Sequence, residues 1–439
     1  MRSALSVAAL VVLLLGLVPT ETWGACAECV RAGAARVVLT VPEGTPLAGY
    51  GDRMRRLLVP DVAGRHRHAF WFRPNEGSRD PLAVRALVLE GGGRRLTWLT
   101  VDVIAVDRAF TARVARALGE AGLPAGALIV SASHTHSGPG AFLESGILGV
   151  VSADRYDREV REALVGSLVE ATRRAEAAKV PAQIGSASVL APALTRGRLG
   201  PRVDREIVVL KVVSDTGVPV AGVWNYAIHG TMLPSVNLRL SGDVMGIASH
   251  EIERATGVPT LFVNGAVGDV SPARHGEVET TGAARELAAA VREGWNAVRR
   301  VAPAPLFLAT VGVALPSPSL AVRNCTAPWV PRWLTVPLGA ALPRDTDLIA
   351  GRLGDVGWVT MPGELQSRLG ETVKRAGRPA RVFVAGLSNE YLGYFLTAAD
   401  YHRVAYIACA SLYGPEAGDR LARAAQQLLR DLTAQAPHR

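Results

Sequence analysis

An apolar segment that ends in two closely spaced histidines constrains this chain more than any other feature of its sequence. The apolar residues 127–130 are followed by His134 and His136, and then by a Gly-Pro-Gly turn at 138–140. The pattern predicts a strand that delivers both imidazoles at its C-terminal end, where open α/β sheets place their chemistry. Imidazole is a common metal ligand and the usual proton shuttle near neutral pH. The alternative is a turn that carries two ordinary histidines.

The residues around this segment predict the fold class. An apolar run at 96–106, a helix N-cap at Asp107 and apolar residues at helical spacing up to about 121 precede the strand at 127–133. This order predicts a βαβ unit with parallel pairing and a right-handed crossover. Strands and long amphipathic helices continue along the chain. We therefore expect an α/β fold, with a single catalytic domain built on a mixed β-sheet core and flanking helices.

Length and composition exclude several classes of protein. The chain has 439 residues, of which 49% are hydrophobic and 20% charged, as is typical of a globular protein. The net charge of +9 comes mostly from arginines that are scattered among acidic residues, without a nucleic-acid-binding motif. Nucleic acid is therefore not an expected partner. We interpret the charge as a compositional bias, and the alternative is a basic face that favours anionic membrane surfaces.

The N-terminus has the layout of a secretory signal peptide. Arg2 precedes an apolar run at 4–18, and small residues follow at 24–27. We predict a signal peptide over 1–25 and a mature domain over 26–439, in a secreted or periplasmic protein. The alternative is an uncleaved N-terminal membrane anchor. An exported protein can form disulfides, but the pairing of Cys26, Cys29, Cys325 and Cys409 cannot be read from the sequence.

Two more strand ends carry side chains that suit a metal site. His229 ends an apolar strand just before Gly230, and Glu364 follows the strand at 356–360. Together with His134 they form a three-ligand set that suits catalytic zinc with an open position for water. The alternative is a site without metal, in which Glu364 occupies the first turn of the following helix. His136 can face the same site as His134, because residues two apart in an extended segment share a face.

Three further residues are candidates for chemistry. Ser271 lies before a proline in a glycine-punctuated loop, where it is either a nucleophile, a positioning hydroxyl or only a turn former. Arg196 lies in a loop between strands and is either solvated or, near a metal, a ligand for an oxyanion or a carbonyl oxygen. Tyr406 is either a packing aromatic or a hydroxyl donor in the same site.

These segments, taken in order, resemble the neutral, non-lysosomal ceramidase family. The resemblance rests on residues 134–140, the strand end at His229, and residues 268–272, 362–364, 388–394 and 410–415. It implies a zinc-dependent hydrolase that cleaves the amide bond of ceramide into a sphingoid base and a fatty acid. By motif position, it implies that the Zn²⁺ ligands are His134, His229, Glu364 and Tyr394, the last of which only the resemblance supplies.

The resemblance also implies roles around the metal. It places His136 on the substrate side, Ser271 at the position of the nucleophile, and Arg196 and Tyr406 at positions that contact substrate. Gly49 matches a glycine-rich loop near the site. Whether Ser271 attacks covalently or orients the water stays open.

The sequence departs from the family in length. Only one helix is expected after Pro415, so we expect no C-terminal immunoglobulin-like domain, and the region between Ser271 and Glu364 is compact. We expect a zinc amidohydrolase whose substrate is ceramide or a related N-acyl lipid, reached at a membrane surface. The alternatives are a zinc hydrolase of another envelope amide or ester, and a non-catalytic binding protein on the same scaffold. The oligomeric state is not indicated by the sequence.

Overall fold

The computed structural model of the chain describes residues 29–54, 60–377 and 379–434. The predicted signal peptide and Cys26 lie outside the described residues. In chain order the strands are β1 Arg31–Val38, β2 Ala83–Gly91, β3 Arg94–Val101, β4 Ala127–Ala132, β5 Val180–Leu190, β6 Thr195–Gly197, β7 Glu206–Ser214, β8 Pro219–Tyr226, β9 Thr260–Asn264, β10 Val270–Pro272, β11 Ala302–Pro303, β12 Leu306–Ala314, β13 Ser319–Ala321, β14 Thr335–Pro337, β15 Asp345–Leu353, β16 Val356–Thr360, β17 Glu364–Leu365, β18 Arg381–Ala385 and β19 Tyr394–Phe395.

The helices flank these strands in sequence and in space. They are α1 Arg108–Glu120, α2 Gly146–Leu148, α3 Arg158–Ala177, α4 Asp243–Thr256, α5 Glu277–Ala297, α6 Val322–Cys325, α7 Ser367–Ala376, α8 Ala398–Tyr401, α9 Tyr406–Cys409 and α10 Ala417–Ala434. A π-helical turn at Gly149–Ala153 follows α2. Among the described residues, none of the helices combines the length and the apolarity that a bilayer-spanning segment needs.

The larger sheet is mixed, as the sequence predicts. Its strands run in the order β4-β3-β2-β1-β5-β7-β8-β9, with the short β11 paired to β5. The pairs β3–β4 and β8–β9 are parallel and the other pairs along this order are antiparallel. The predicted βαβ unit is confirmed, since α1 connects β3 to the parallel strand β4. The Asp107 side chain caps α1 by accepting a hydrogen bond from the amide of Phe110 at 2.7 Å.

A second sheet, β12-β15-β16-β18, packs against one face of the larger sheet. Trp98 of the larger sheet contacts Trp358 and Phe383 of the second sheet across this interface. Helices α1, α3, α4 and α5 cover the other face of the larger sheet, and α7 and α10 cover the outer face of the second sheet. The domain is therefore built in four layers, helix on sheet on sheet on helix.

Hydrogen bonds tie the two sheets together at the carboxyl ends of their inner strands. The side-chain amide of Asn225 in β8 donates to the carbonyls of Val263 in β9 and Val384 in β18, both at 2.9 Å. The hydroxyls of Ser131 in β4 and Ser388, which follows β18, lie 2.7 Å apart. Because β16 and β18 are parallel, the carboxyl ends of β4, β8, β9, β16 and β18 meet in one region.

The Pro- and Trp-rich segment 316–343 is ordered without regular periodicity. It contains the short hairpin β13–β14, the single-turn α6 between its strands, and a 3₁₀ turn at Gly339–Ala341. A disulfide joins Cys325 at the end of α6 to Cys409 at the end of α9. The segment is thereby fixed against the loops that follow β18.

Candidate metal centre

Three buried side chains from distant parts of the chain meet where the strand ends converge. His134 follows β4, His229 follows β8, and Glu364 begins β17 shortly after β16. Asn264, at the end of β9, joins the two histidine loops by donating to the carbonyls of Ser133 at 3.2 Å and Ile228 at 2.9 Å. The structure thus brings together the three candidate ligands that the strand ends predict. Glu364 lies in a strand, not in the first turn of α7.

The distances between the ligand atoms suit one small metal ion. The Nε2 atoms of His134 and His229 lie 3.1 Å apart. The Glu364 carboxylate lies 3.4 Å from His134 Nε2 and 3.2 Å from His229 Nε2. Ligand atoms about 2.1 Å from a tetrahedral metal such as zinc are separated by about 3.4 Å. The three donor groups therefore form one face of such a tetrahedron.

Hydrogen bonds to neighbouring groups orient two of these donors, His134 and Glu364. The Nδ1 of His134 lies 2.7 Å from the carbonyl of Ile104, and because a carbonyl only accepts, Nδ1 carries the proton and donates. This tautomer leaves the Nε2 lone pair free for a metal. The hydroxyl of Tyr391 donates to Oε1 of Glu364 at 2.7 Å. Tyr391 lies within the motif at 388–394, but nothing in the sequence alone indicates this role.

Several polar atoms of the cluster are buried without a hydrogen-bond partner in the described part of the chain. They are Glu364 Oε2, His229 Nδ1 and both ring nitrogens of His136. A buried polar atom without a partner costs about 1–3 kcal/mol. One donor atom each from His134, His136 and His229 also lie within 4.8 Å of one another, so these three rings could hold a metal. Unsatisfied imidazole and carboxylate atoms are the donors that zinc prefers, and the residues present fit such an ion.

Tyr394 lies next to Glu364. The strands β17 and β19 are parallel, and Glu364 is the register partner of Tyr394. Burial, followed by the charge of Glu364, raises the pKa of Tyr394 well above its ordinary value. The phenol therefore stays protonated at neutral pH unless a metal ion binds its oxygen. Its oxygen accepts a weak hydrogen bond from Nη1 of Arg198 at 3.4 Å.

Two histidines of the cluster, His136 and His229, have lowered pKa values. Burial, followed by the charge of Arg198, lowers the pKa of His229 to about 3. Burial also lowers the pKa of His136 well below its ordinary value, and its histidine neighbours add to the effect. Neutral imidazole is the form that binds a metal.

His136 reaches the cluster by a bend rather than along an extended segment. The φ of His134 is +71°, in the left-handed region, because the strand has already ended at Ala132. The prediction that His134 and His136 share one face of an extended segment is therefore wrong. The two rings nevertheless lie near each other, with centroids 5.0 Å apart, and the His136 ring is 5.9 Å from that of His229.

The serine predicted as a candidate nucleophile lies on a short strand, not in a loop. Ser271 in β10 is paired with Arg196 in the antiparallel β6. The Arg196 side chain is exposed, however, and its closest polar contact is with the Pro272 carbonyl, at 3.4 Å. Arg198 instead donates from Nε to the Ser271 hydroxyl at 2.7 Å. The structure therefore places Arg198, not Arg196, between Ser271 and Tyr394.

A tight turn explains why the sequence did not distinguish these two arginines. A Cβ at Gly197 would lie 2.0 Å from the carbonyl oxygen of Gly200, so the backbone doubles back on itself there. The turn ends β6 and redirects Arg198 inward. The close approach depends on contacts between backbone segments, which local patterns do not reveal.

An apolar cavity opens directly above the cluster. Its volume is about 260 Å³, and His134, His136 and Glu364 lie at its base. Its walls are mostly aliphatic and aromatic, and they include Leu143, Ile147, Leu320, Leu342, Tyr391 and Leu412. Tyr406 lies at the mouth, where 73% of it is exposed, with its ring centroid 5.9 Å from that of Tyr394.

Comparisons with known proteins point to one family. Residues 73–303, more than half of the chain, match the model of the neutral/alkaline non-lysosomal ceramidase N-terminal region. The chain is 26% identical over 211 residues to the neutral ceramidase of Pseudomonas aeruginosa. This aligned region covers 43% of the chain and 31% of that protein. It is 26% identical over 172 residues to neutral ceramidase B of Dictyostelium discoideum, covering 34% of the chain and 24% of that protein. The matches thus span about a quarter to a third of these curated relatives.

The fold is similar over a larger part of the chain. The crystal structure of the Pseudomonas aeruginosa neutral ceramidase superposes with a TM-score of 0.78 and 19% identity, over 94% of this chain and 76% of that one. The superposition includes strands beyond residue 303, where the family model ends. From the match over residues 73–303, the chain belongs to the neutral/alkaline non-lysosomal ceramidase family.

Proposed function

We propose that this protein is a zinc-dependent amidohydrolase that cleaves the amide bond of ceramide or a related N-acyl lipid. The observation that carries the proposal is the buried set of His134, His229 and Glu364 at the base of an apolar cavity. The names of the relatives, which are neutral ceramidases, support the same substrate class.

The metal would be held by His134, His229 and Glu364, with Tyr394 as the fourth protein ligand. A bound zinc ion polarises a carbonyl and lowers the pKa of water to about 7. The Ile104 carbonyl and the Tyr391 hydroxyl hold two of these ligands in the orientation that they have in the structure.

The groups around this set suit the handling of charge and protons during amide cleavage. Arg198 donates to the Ser271 hydroxyl, so it orients that oxygen and would stabilise negative charge on it or on an adjacent oxyanion. Among the described residues, neither nitrogen of the His136 ring has a hydrogen-bond partner, which leaves both free to contact the substrate amide. Tyr406 lies at the mouth, where its hydroxyl would meet the polar part of a lipid.

The apolar lining of the cavity is evidence for an acyl or sphingoid chain as the apolar part of the substrate. Leu143 and Ile147 line it from the segment after the histidine motif. Leu320 and Leu342 line it from the compact region between Ser271 and Glu364. That region therefore still supplies walls, although it is short.

Metal analysis and a substrate panel test this proposal. We expect the purified protein to contain zinc and to hydrolyse N-acyl lipids in preference to peptides and esters, with loss of activity on chelation and recovery when zinc is added. His134→Ala should lose both metal and activity. His275→Ala replaces an exposed histidine and should keep both. A wild-type protein that carries zinc but cleaves only esters or peptides would contradict the lipid assignment.

We also propose that the chain is exported, as the N-terminal sequence predicts. The disulfide between Cys325 and Cys409 supports this, because such bonds persist mainly in oxidising compartments.

A further inference from the structure

Exposed apolar side chains lie on the cavity wall and on two neighbouring segments, 316–343 and 404–409, that supply other residues of that wall. We call this set the mouth patch and define it as Val151, Trp329, Trp333, Val336, Val404 and Tyr406. Trp329 is 83% exposed and Trp333 is 79% exposed, whereas Trp98, Trp224 and Trp358 are fully buried. Large exposed apolar surface on a folded protein usually marks a binding surface.

The mouth patch is continuous with the cavity. Val151 and Tyr406 are exposed and also line the cavity. Val336 of β14 is the register partner of Leu320 in β13, and Leu320 lines the cavity wall. A ligand that covers this patch would therefore also cover the entrance.

The tryptophan-bearing segment is held rigidly against the mouth. Its disulfide from Cys325 reaches Cys409, which lines the cavity. Arg323 adds a second link, since its Nη1 donates to the carbonyl of His402 at 2.6 Å and its Nε to that of Pro328 at 3.1 Å. The tryptophans are therefore presented by an anchored element.

The charge around the mouth patch is positive. Residues 315–344 contain Arg323, Arg332 and Arg344 and no acidic residue. Two of the neighbouring acids are paired, since Asp345 binds Arg108 at 2.9 Å and Asp400 binds Arg403 at 2.7 Å. A partner with apolar and negatively charged parts would complement this surface.

We propose that the mouth patch docks on an anionic lipid bilayer, with Trp329 and Trp333 at the level of the headgroups. Tryptophan prefers the interface between membrane and water, and each arginine near an anionic surface contributes about 1 kcal/mol to binding. A docked mouth would let a lipid pass from the bilayer into the cavity without crossing water. That consequence rests on the proposed function, whereas the docking itself does not.

Binding to vesicles without ceramide tests the docking. We expect wild-type protein to bind vesicles that contain phosphatidylglycerol, to bind phosphatidylcholine vesicles weakly, and to show a blue shift of tryptophan emission on binding. The double variant Trp329→Ser/Trp333→Ser should bind about tenfold more weakly and lose the shift. Arg332→Glu should weaken binding to anionic vesicles about fivefold or more.

Exposed residues on α5 supply the control. Val278→Ser/Arg292→Glu removes an exposed valine and reverses an exposed arginine on that helix, and should leave binding unchanged. A wild-type protein that does not bind anionic vesicles, or a tryptophan double variant that binds as well as the control variant, would overturn the proposal.

Two assay formats separate this proposal from the proposed function. The tryptophan double variant should hydrolyse ceramide in detergent micelles at the wild-type rate, but ceramide in vesicles about tenfold more slowly. Equal loss in both formats would show that the tryptophans act on folding or catalysis, against the docking. If wild type bound vesicles but hydrolysed ceramide in neither format, the function would be wrong and the docking would stand.

Discussion

Gly49 controls the position of His136, because it leaves room for the imidazole ring. Its φ is +112°, and a Cβ built on it would lie 2.6 Å from His136 Cγ. A glycine was expected near the site from the sequence, and the structure shows that the contact is with the histidine that is not in the proposed ligand set.

We predict that Gly49→Ala displaces the His136 ring and lowers kcat at least tenfold, since misplacement of a reacting group by about 1 Å can cost about a hundredfold. Gly217→Ala is the matched control. It has a similar φ of +83° but no atom within 4 Å of its Cβ, so it carries the backbone strain of about 1 kcal/mol without the contact. Equal loss of kcat in both variants would show that backbone strain, not the ring contact, is responsible.

The two neighbouring arginines should differ sharply in their effect on catalysis. Arg198→Ala removes the donor to Ser271 and should lower kcat/KM about a hundredfold, as the loss of one oxyanion donor does. Arg196→Ala removes an exposed side chain and should change kcat/KM less than threefold. The measurement is kcat/KM on one N-acyl lipid, with Tm to exclude unfolding. The reverse order of effects would support the residue that the sequence analysis selected.

At the scale of elements, the hairpin β13–β14 depends on one covalent link. The disulfide closes a loop with a sequence separation of 84 residues. We predict that Cys325→Ser/Cys409→Ser lowers the free energy of unfolding by about 2–4 kcal/mol, because the unfolded chain gains entropy. Urea unfolding of the double variant measures this.

Mass spectrometry of the protein from its native cell should show no free thiol at either position and the mass of the mature chain. A free thiol at both would contradict the export proposal.

Several long elements could be predicted from the sequence, whereas two long strands and the two-residue strands could not. The β3–α1–β4 unit follows from apolar periodicity and from the Asp107 cap. Residues 36–41 alone predict a first strand, but β1 is Arg31–Val38, because pairing with β2 and β5 outweighs the weak strand preference of its alanines and glycine. The sequence does not indicate strand β15, since two aspartates and a glycine interrupt its pattern. The two-residue strands β17 and β19 form only through long-range pairing.

At the scale of the whole molecule, the four layers bring the candidate ligands together. Strand-end reasoning selected His134, His229 and Glu364, but their meeting depends on the docking of two sheets, which no local pattern shows. Tyr394 came only from the family resemblance. Tyr391 and Arg198 were missed, because their roles come from side-chain directions that are set by the fold around them.

The division of the candidate ligands between two sheets would have a consequence for biogenesis. His134 and His229 belong to the first sheet, whereas Glu364 and Tyr394 follow strands of the second. A nascent polypeptide that has completed only the first sheet holds two imidazoles and lacks the carboxylate and the phenol. Tight metal binding would then occur only after both sheets have formed, and incompletely folded intermediates would have no activity.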